Sequence, residues 1–198
     1  MIIAYHMIFG AYGFWLPNDP RGSRSTTVWG ENLQPFGPAT QAPDRRSSAR
    51  DAHDFAQRRQ AKRALKYPPV KFSGIQARAV VRGVEDICGK LSVEIYALAI
   101  MPDHMHVVAR RHELQAEGLG GFLIRAATRQ LNREGLNPMA RFRRPSGRTI
   151  SPWAVGDGWP ILLDSAQAVW RAIRYVEQNP VRAGLPRQYW KFIVPFEG

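Results

Sequence analysis

The sequence predicts an α+β protein on the ferredoxin-like (RRM-like) plan: a palm with a central antiparallel β-sheet and helices on one face. Three observations carry this. Short β-branched and aromatic runs alternate with long amphipathic segments in the order strand, helix, strand, strand, helix, strand. The two middle strands, residues 96–101 and 104–109, are separated by Pro102-Asp103, a pair that suits a tight antiparallel turn. Each long helix carries a single apolar stripe, so each buries one face against a sheet. A β-α-β-β-α-β order of this kind leaves the other sheet face open for a site. At 198 residues and 44% hydrophobic content, the chain fits one domain over 1–198, with a long basic insertion at about 17–75.

Taken in order, residues 2–9 form the first strand, and the lone His6 within it reads as structural. A turn-rich run follows, and from Gly22 to Asp44 the chain is dense in Gly, Pro, Ser and Thr, as in a long loop. Residues 47–66 favour helix, which Tyr67-Pro68-Pro69 stops. Arg58, Arg59, Lys62, Arg63 and Lys66 give this segment a basic face, either simply solvated or set against phosphate. Residues 75–91 form a helix with Val80, Val84, Ile87, Cys88 and Leu91 at helical spacing. Residues 115–134 form the next, with Leu119, Phe122, Leu123, Ala126 and Leu131 as its core face. Arg125, Arg129 and Arg133 make a separate stripe on it, scattered surface charge or a row that repels itself unless an anion lies along it. Residues 141–148, R-F-R-R-P-S-G-R, are a basic loop in which Arg143 and Arg144 can follow a backbone and Phe142 can stack a base. Residues 159–163 read as the last strand of the plan. Asp164-Ser165 then caps a helix that Pro180 ends after Asn179, and residues 190–194 suggest a further strand.

Charge narrows the partner. There are 28 Lys+Arg against 16 Asp+Glu, a net +12. Most of the excess is Arg, whose guanidinium fork binds phosphate bidentately, so a nucleic acid or a membrane surface is implied. The single Cys88 excludes an internal disulfide and a thiolate-cluster metal site. Gly83 to Gly89-Lys90 is not a phosphate-binding loop, because its spacing is wrong and it lies inside a helix. The opening residues do not resemble a signal peptide and no apolar run approaches the ~20 residues of a membrane span, so a cytoplasmic location is expected.

Two stretches carry chemistry. In A-I-M-P-D-H-M-H-V-V, His104 and His106 alternate with Met105, so both imidazoles point from one sheet face. This is a metal-ligand geometry, and it is also what a polar pair on a half-buried strand looks like. In the helix over 165–179, Ala166, Val169, Trp170, Ile173 and Val176 share the core face. Arg171, Tyr175 and Asn179 share another. Tyr175 is thus either an ordinary surface tyrosine or a nucleophile. Two imidazoles and an amide can hold a divalent ion with open positions, and a phenol one turn from that amide can reach the same phosphate. A phenol is only ~0.1% ionised at neutral pH, a deficit of ~4 kcal/mol that a cation and a nearby Arg would offset in part. Ligand types leave Zn, Mn and Mg open.

The first run resembles the His–hydrophobic–His (HUH) signature of single-tyrosine transposases. The run A-I-R-Y-V-E-Q-N-P-V-R-A-G-L resembles the tyrosine helix of the REP-associated, IS200-like group, as do Y-H-M-I-F-G-A-Y-G-F-W-L-P-N-D-P-R-G and W-P-I-L-L-D. The resemblance implies a DNA strand-cleaving and strand-joining enzyme of bacterial nucleoid DNA. It implies Tyr175 as nucleophile, His104, His106 and Asn179 as ligands of Mg2+ or Mn2+, and a 5′-phosphotyrosine intermediate on single-stranded or hairpin DNA. Asn179 stands where the insertion-sequence members usually have a Gln, one methylene longer. Both monomers and homodimers that exchange the tyrosine helix occur in such a family. The DNA-contacting set expected here is Arg58, Lys62, Arg125, Arg129, Arg133, Arg143, Arg144 and Arg171. The alternative is a non-catalytic, domesticated protein that binds hairpin DNA on the same fold.

Overall fold

A computed structural model describes residues 1–19, 28, 30–38, 54–154 and 159–198, with the side chain of Trp159 excepted. Most of the expected loop at 22–44 and the first part of the helix expected over 47–66 lie outside these residues. Four strands form one antiparallel sheet: β1 (Ala4–Gly10), β2 (Ile95–Ile100), β3 (His104–Arg110) and β4 (Trp159–Leu163), in the spatial order β2-β3-β1-β4. The helices are α1 (Phe55–Arg63), α2 (Gly74–Leu91), α3 (Ala116–Arg133) and α4 (Ala166–Arg182), with a 3-10 turn at Glu31–Phe36. β3 lies between β1 and β2, as the split β-α-β arrangement of the predicted plan requires. Pro160 is tolerated because β4 is an edge strand. Among the described residues, no helix is long and apolar enough to cross a membrane.

Alternation along the strands sorts the two faces. Tyr5, Met7 and Phe9 of β1 and Met105, Val107 and Ala109 of β3 join Leu119, Leu123 and Leu131 of α3 and Val80 and Val84 of α2 in one core. Each fully buried side chain of this size contributes about 1.5–3 kcal/mol. The two helices meet at Gly83, where an added Cβ would lie 2.7 Å from the Ala126 carbonyl oxygen. α2 opens on a capping box. Gln76 N–H donates to Ser73 Oγ (3.4 Å) and Ser73 N–H donates to Gln76 Oε1 (2.8 Å). The opposite face holds a smaller core, Ala4, Ala97, Ala99, Val108 and Leu163 against Val169, Ala172, Ile173 and Val176 of α4. α2 and α3 thus cover one face, and α4 docks over the face the plan leaves open.

Three local expectations are corrected. The first helix is the shorter Phe55–Arg63, capped by Asp54, whose Oδ1 accepts from Ala56 and Gln57 N–H. α4 runs through Pro180 to Arg182. Proline removes one backbone donor there. The helix stops only where Gly184 takes φ +72 and Leu185 N–H returns to the Pro180 carbonyl, a Schellman-type end. Residues 190–194 form no strand. The side-chain amide of Gln188 stands in for a backbone partner on the β2 edge, accepting from Ile100 N–H (2.9 Å) and donating to Ile100 O (2.8 Å). Trp190 Nε1 donates to Leu98 O (3.1 Å).

Candidate active site

The tight turn between β2 and β3 closes with Met101 N–H donating to His104 O (2.8 Å), which starts β3 at the first histidine. Register places Gly10, Ile8 and His6 of β1 opposite His104, His106 and Val108, so all three imidazoles share the α4 side. The His104 and His106 rings are 4.8 Å apart at 85°. His104 is partly exposed, and its Nδ1 lies 2.7 Å from Asp103 Oδ1. The Phe14 ring packs 4.8 Å from it. Gly10 permits that approach, since a Cβ there would sit 2.8 Å from Phe14 Cδ1. His106 is 2% exposed, with Nδ1 3.1 Å from His6 Nε2.

Burial sets the charge of this pair. It pushes the His6 imidazole down to about 4. Burial, and then the proximity of His104 and His6, holds His106 well below the ordinary imidazole range. Both are neutral at physiological pH, the state in which an imidazole ligates metal. His6 was read as structural from sequence, and its involvement here is new. Strand pairing brings it to His106 across 100 positions of chain, and no local pattern encodes that.

α4 supplies the other half. Ser165 Oγ accepts from Ala168 N–H and fixes its start, three residues after β4 ends at Leu163. Val169, Ile173 and Val176 bury against the sheet, and Tyr175 is carried over the histidines. Its ring lies 5.4 Å from His106 at 85° and 6.0 Å from His6 at 60°. Tyr175 is nevertheless 45% exposed, open to a ligand from the solvent side. One turn further on, the Asn179 Nδ2 is buried without a hydrogen-bond partner. Tyr175, Arg171, Arg174, Gln178 and Arg182 line a shallow cleft of about 390 Å³. Arg174 and Arg182 were missed from sequence, although their spacing from Arg171 places all three on one helix side. Trp170, read as core, is 42% exposed and instead packs its ring on Phe196 (5.5 Å).

The remaining expected DNA contacts are dispersed. Arg125, Arg129 and Arg133 are exposed on α3, across the sheet from Tyr175. Arg125 covers the Phe122 ring (4.8 Å). The Asp86 carboxyl of α2 is held below the usual carboxylate range by Lys90 first and more weakly by Arg133 and Arg129. Arg143 donates to Thr149 Oγ1 and, with Arg144, sits on a small exposed hairpin. Phe142 does not stand open for a base: its ring packs on Tyr67 (4.8 Å). Arg58 Nη2 donates to Asp19 Oδ2 (2.9 Å), whose side chain is 2% exposed, so this arginine ties α1 to the loop after β1. Lys62 is exposed on α1.

No protein-family model matches the chain, and no curated protein matches it. Among solved structures, one described as "Structure of the REP associates tyrosine transposase bound to a REP hairpin" aligns with a TM-score of 0.44 at 18% identity. The alignment covers 65% of this chain and 70% of that one, a distant likeness.

The side chains themselves test the expected metal. Among the described residues, no three His, Cys, Asp or Glu side chains converge on one point. The groups that remain are the two β3 imidazoles and the Asn179 side chain, whose buried Nδ2 can only donate a hydrogen bond, so that Oδ1 would be its ligating atom. Two imidazole nitrogens and one amide oxygen are a donor set that a divalent cation accepts while keeping other positions for water or phosphate oxygens.

Proposed function

We propose that the chain is a metal-dependent DNA strand transesterase, acting on single-stranded or hairpin DNA through Tyr175. The supporting observation is the placement of Tyr175. It is an accessible phenol held against a pair of neutral imidazoles by a helix whose outer side carries Arg171, Arg174 and Arg182. In this reading the three arginines hold the sugar–phosphate backbone and set the scissile phosphate beside the phenol. Tyr175 Oη attacks phosphorus and loses its proton to solvent. The P–O bond to the 3′ oxygen breaks, and that oxygen takes up a proton to leave as a 3′-OH. The phosphodiester persists as a 5′-phosphotyrosine, so the reverse attack by a 3′-OH rejoins the strand without a nucleotide cofactor. His104, His106 and Asn179 would hold Mg2+ or Mn2+, which supplies charge neutralisation at the phosphate. His6 and Phe14 exclude water from the inner side of the histidines.

Incubation with end-labelled hairpin DNA and Mn2+, resolved on a denaturing gel, tests this. The expected result is a protein–DNA adduct that disappears with chelator and in His104→Ala. Tight hairpin binding with no adduct under any divalent ion would instead support the non-catalytic reading.

A further inference from the structure

We infer that His6 is a positioning residue for the two-histidine strand: it accepts the Nδ1–H of His106 and thereby turns His106 Nε2 outward as a bare lone pair. The inference rests on the metal-site reading above and deepens it.

A neutral imidazole carries one N–H and one lone pair. His6 Nε2 and His106 Nδ1 are 3.1 Å apart and buried, so one nitrogen must donate and the other accept. If His6 donated, His106 Nδ1 would be the acceptor and its proton would sit on Nε2, leaving no lone pair to offer. If His106 donates, Nε2 is bare. His104 shows which arrangement suits the strand. Its Nδ1 lies 2.7 Å from Asp103 Oδ1, and a carboxylate only accepts, so Nδ1 carries the proton and Nε2 is the available donor atom. The two histidines then match, each with Nδ1–H tied to an acceptor behind it and Nε2 presented forward. This is the usual outer-shell arrangement for ligating imidazoles, with His6 replacing the more common carboxylate or carbonyl.

His6 is not itself a third ligand in this geometry. Its Nε2 is occupied by His106, and no three such side chains converge among the described residues. Its place in β1, two residues from Ile8, which pairs with His106, makes it a rigid acceptor on a central strand. Its ring also lies 6.0 Å from Tyr175, so the residue that orients the ligand also floors the nucleophile.

Two measurements on the full chain test this. Long-range 1H–15N correlation of the metal-free protein reads imidazole tautomers directly. His106 is expected as the Nδ1–H form, and an Nε2–H form overturns the inference. Mn2+ titration followed by electron paramagnetic resonance is then compared for wild type, His6→Phe and His6→Gln. Phenylalanine keeps the ring volume without an acceptor, whereas glutamine places Oε1 near the Nε2 position. His6→Phe is expected to weaken Mn2+ binding about 10–100-fold in protein that is still folded at the assay temperature, and His6→Gln to recover most of it. Equal affinity in wild type and His6→Phe, or no recovery in a folded His6→Gln, overturns the role of His6 alone. A wild type that takes up no Mn2+ overturns the metal reading and the positioning role together.

Discussion

At the scale of single residues, burial does most of the deciding. His6 titrates at about 4 in the folded chain, against 6.5 for an exposed imidazole. Below pH 6.5 the unfolded chain therefore binds a proton that the native state does not. Stability is unaffected above that value, falls as pH drops toward 4, and loses about 3 kcal/mol from this residue across the window. His106 adds a shift of the same sign. Thermal melts of the metal-free protein are expected to drop in midpoint between pH 7.5 and pH 5, and less so in His6→Gln. A pH-independent midpoint would refute the buried neutral pair. Arg58 makes a second residue-level case. Its guanidinium compensates a buried Asp19 carboxylate, so Arg58→Ala should cost about 1–3 kcal/mol of stability. Hairpin affinity and its salt dependence should stay as in wild type. The sequence read this residue as a phosphate contact because nothing local reveals a partner 39 positions away. His104, His106 and Tyr175 were legible for the converse reason: strand alternation and helical period are local, and each placed its residue on the correct face.

At the scale of elements, the apolar stripes located α2 and α3 to within a residue of their ends, because each helix is defined by its own burial. Gly83 shows what the stripe leaves out. In the structure it is the point where two helix backbones come together. Gly83→Ala would push a methyl against the backbone at Ala126 and Ala127 and should cost about 1–3 kcal/mol by chemical denaturation, although alanine is the better helix former. A stabilised variant would show that the helices can move apart freely. The end of α4 and the tail beyond it were misread because tertiary partners override local signals there. Pro180 sits in the buried last turns, and Gln188 and Trp190 satisfy the β2 edge with side chains that no strand pattern anticipates.

At the scale of the whole molecule, exposed arginines among the described residues lie on both sides of the sheet. Arg171, Arg174 and Arg182 flank Tyr175, whereas Arg125, Arg129 and Arg133 lie on the far layer. A strand touching both sets must pass round an edge of the sheet. Arg171→Gln and Arg174→Gln are each expected to lower the log–log salt slope for single-stranded DNA by about 0.7 and to reduce adduct yield. The triple change at Arg125, Arg129 and Arg133 to Gln should leave adduct yield on a short oligonucleotide unchanged. The opposite pattern would move the substrate path to the α3 face. The proposed reaction turns on one bond, between DNA phosphorus and the Tyr175 oxygen. Protease digestion of the hairpin adduct followed by peptide mass mapping reads it directly. A nucleotide-bearing peptide that contains Tyr175, absent from a Tyr175→Phe variant that still binds hairpin, is the predicted result. An adduct that persists in Tyr175→Phe, or maps to another residue, would contradict it.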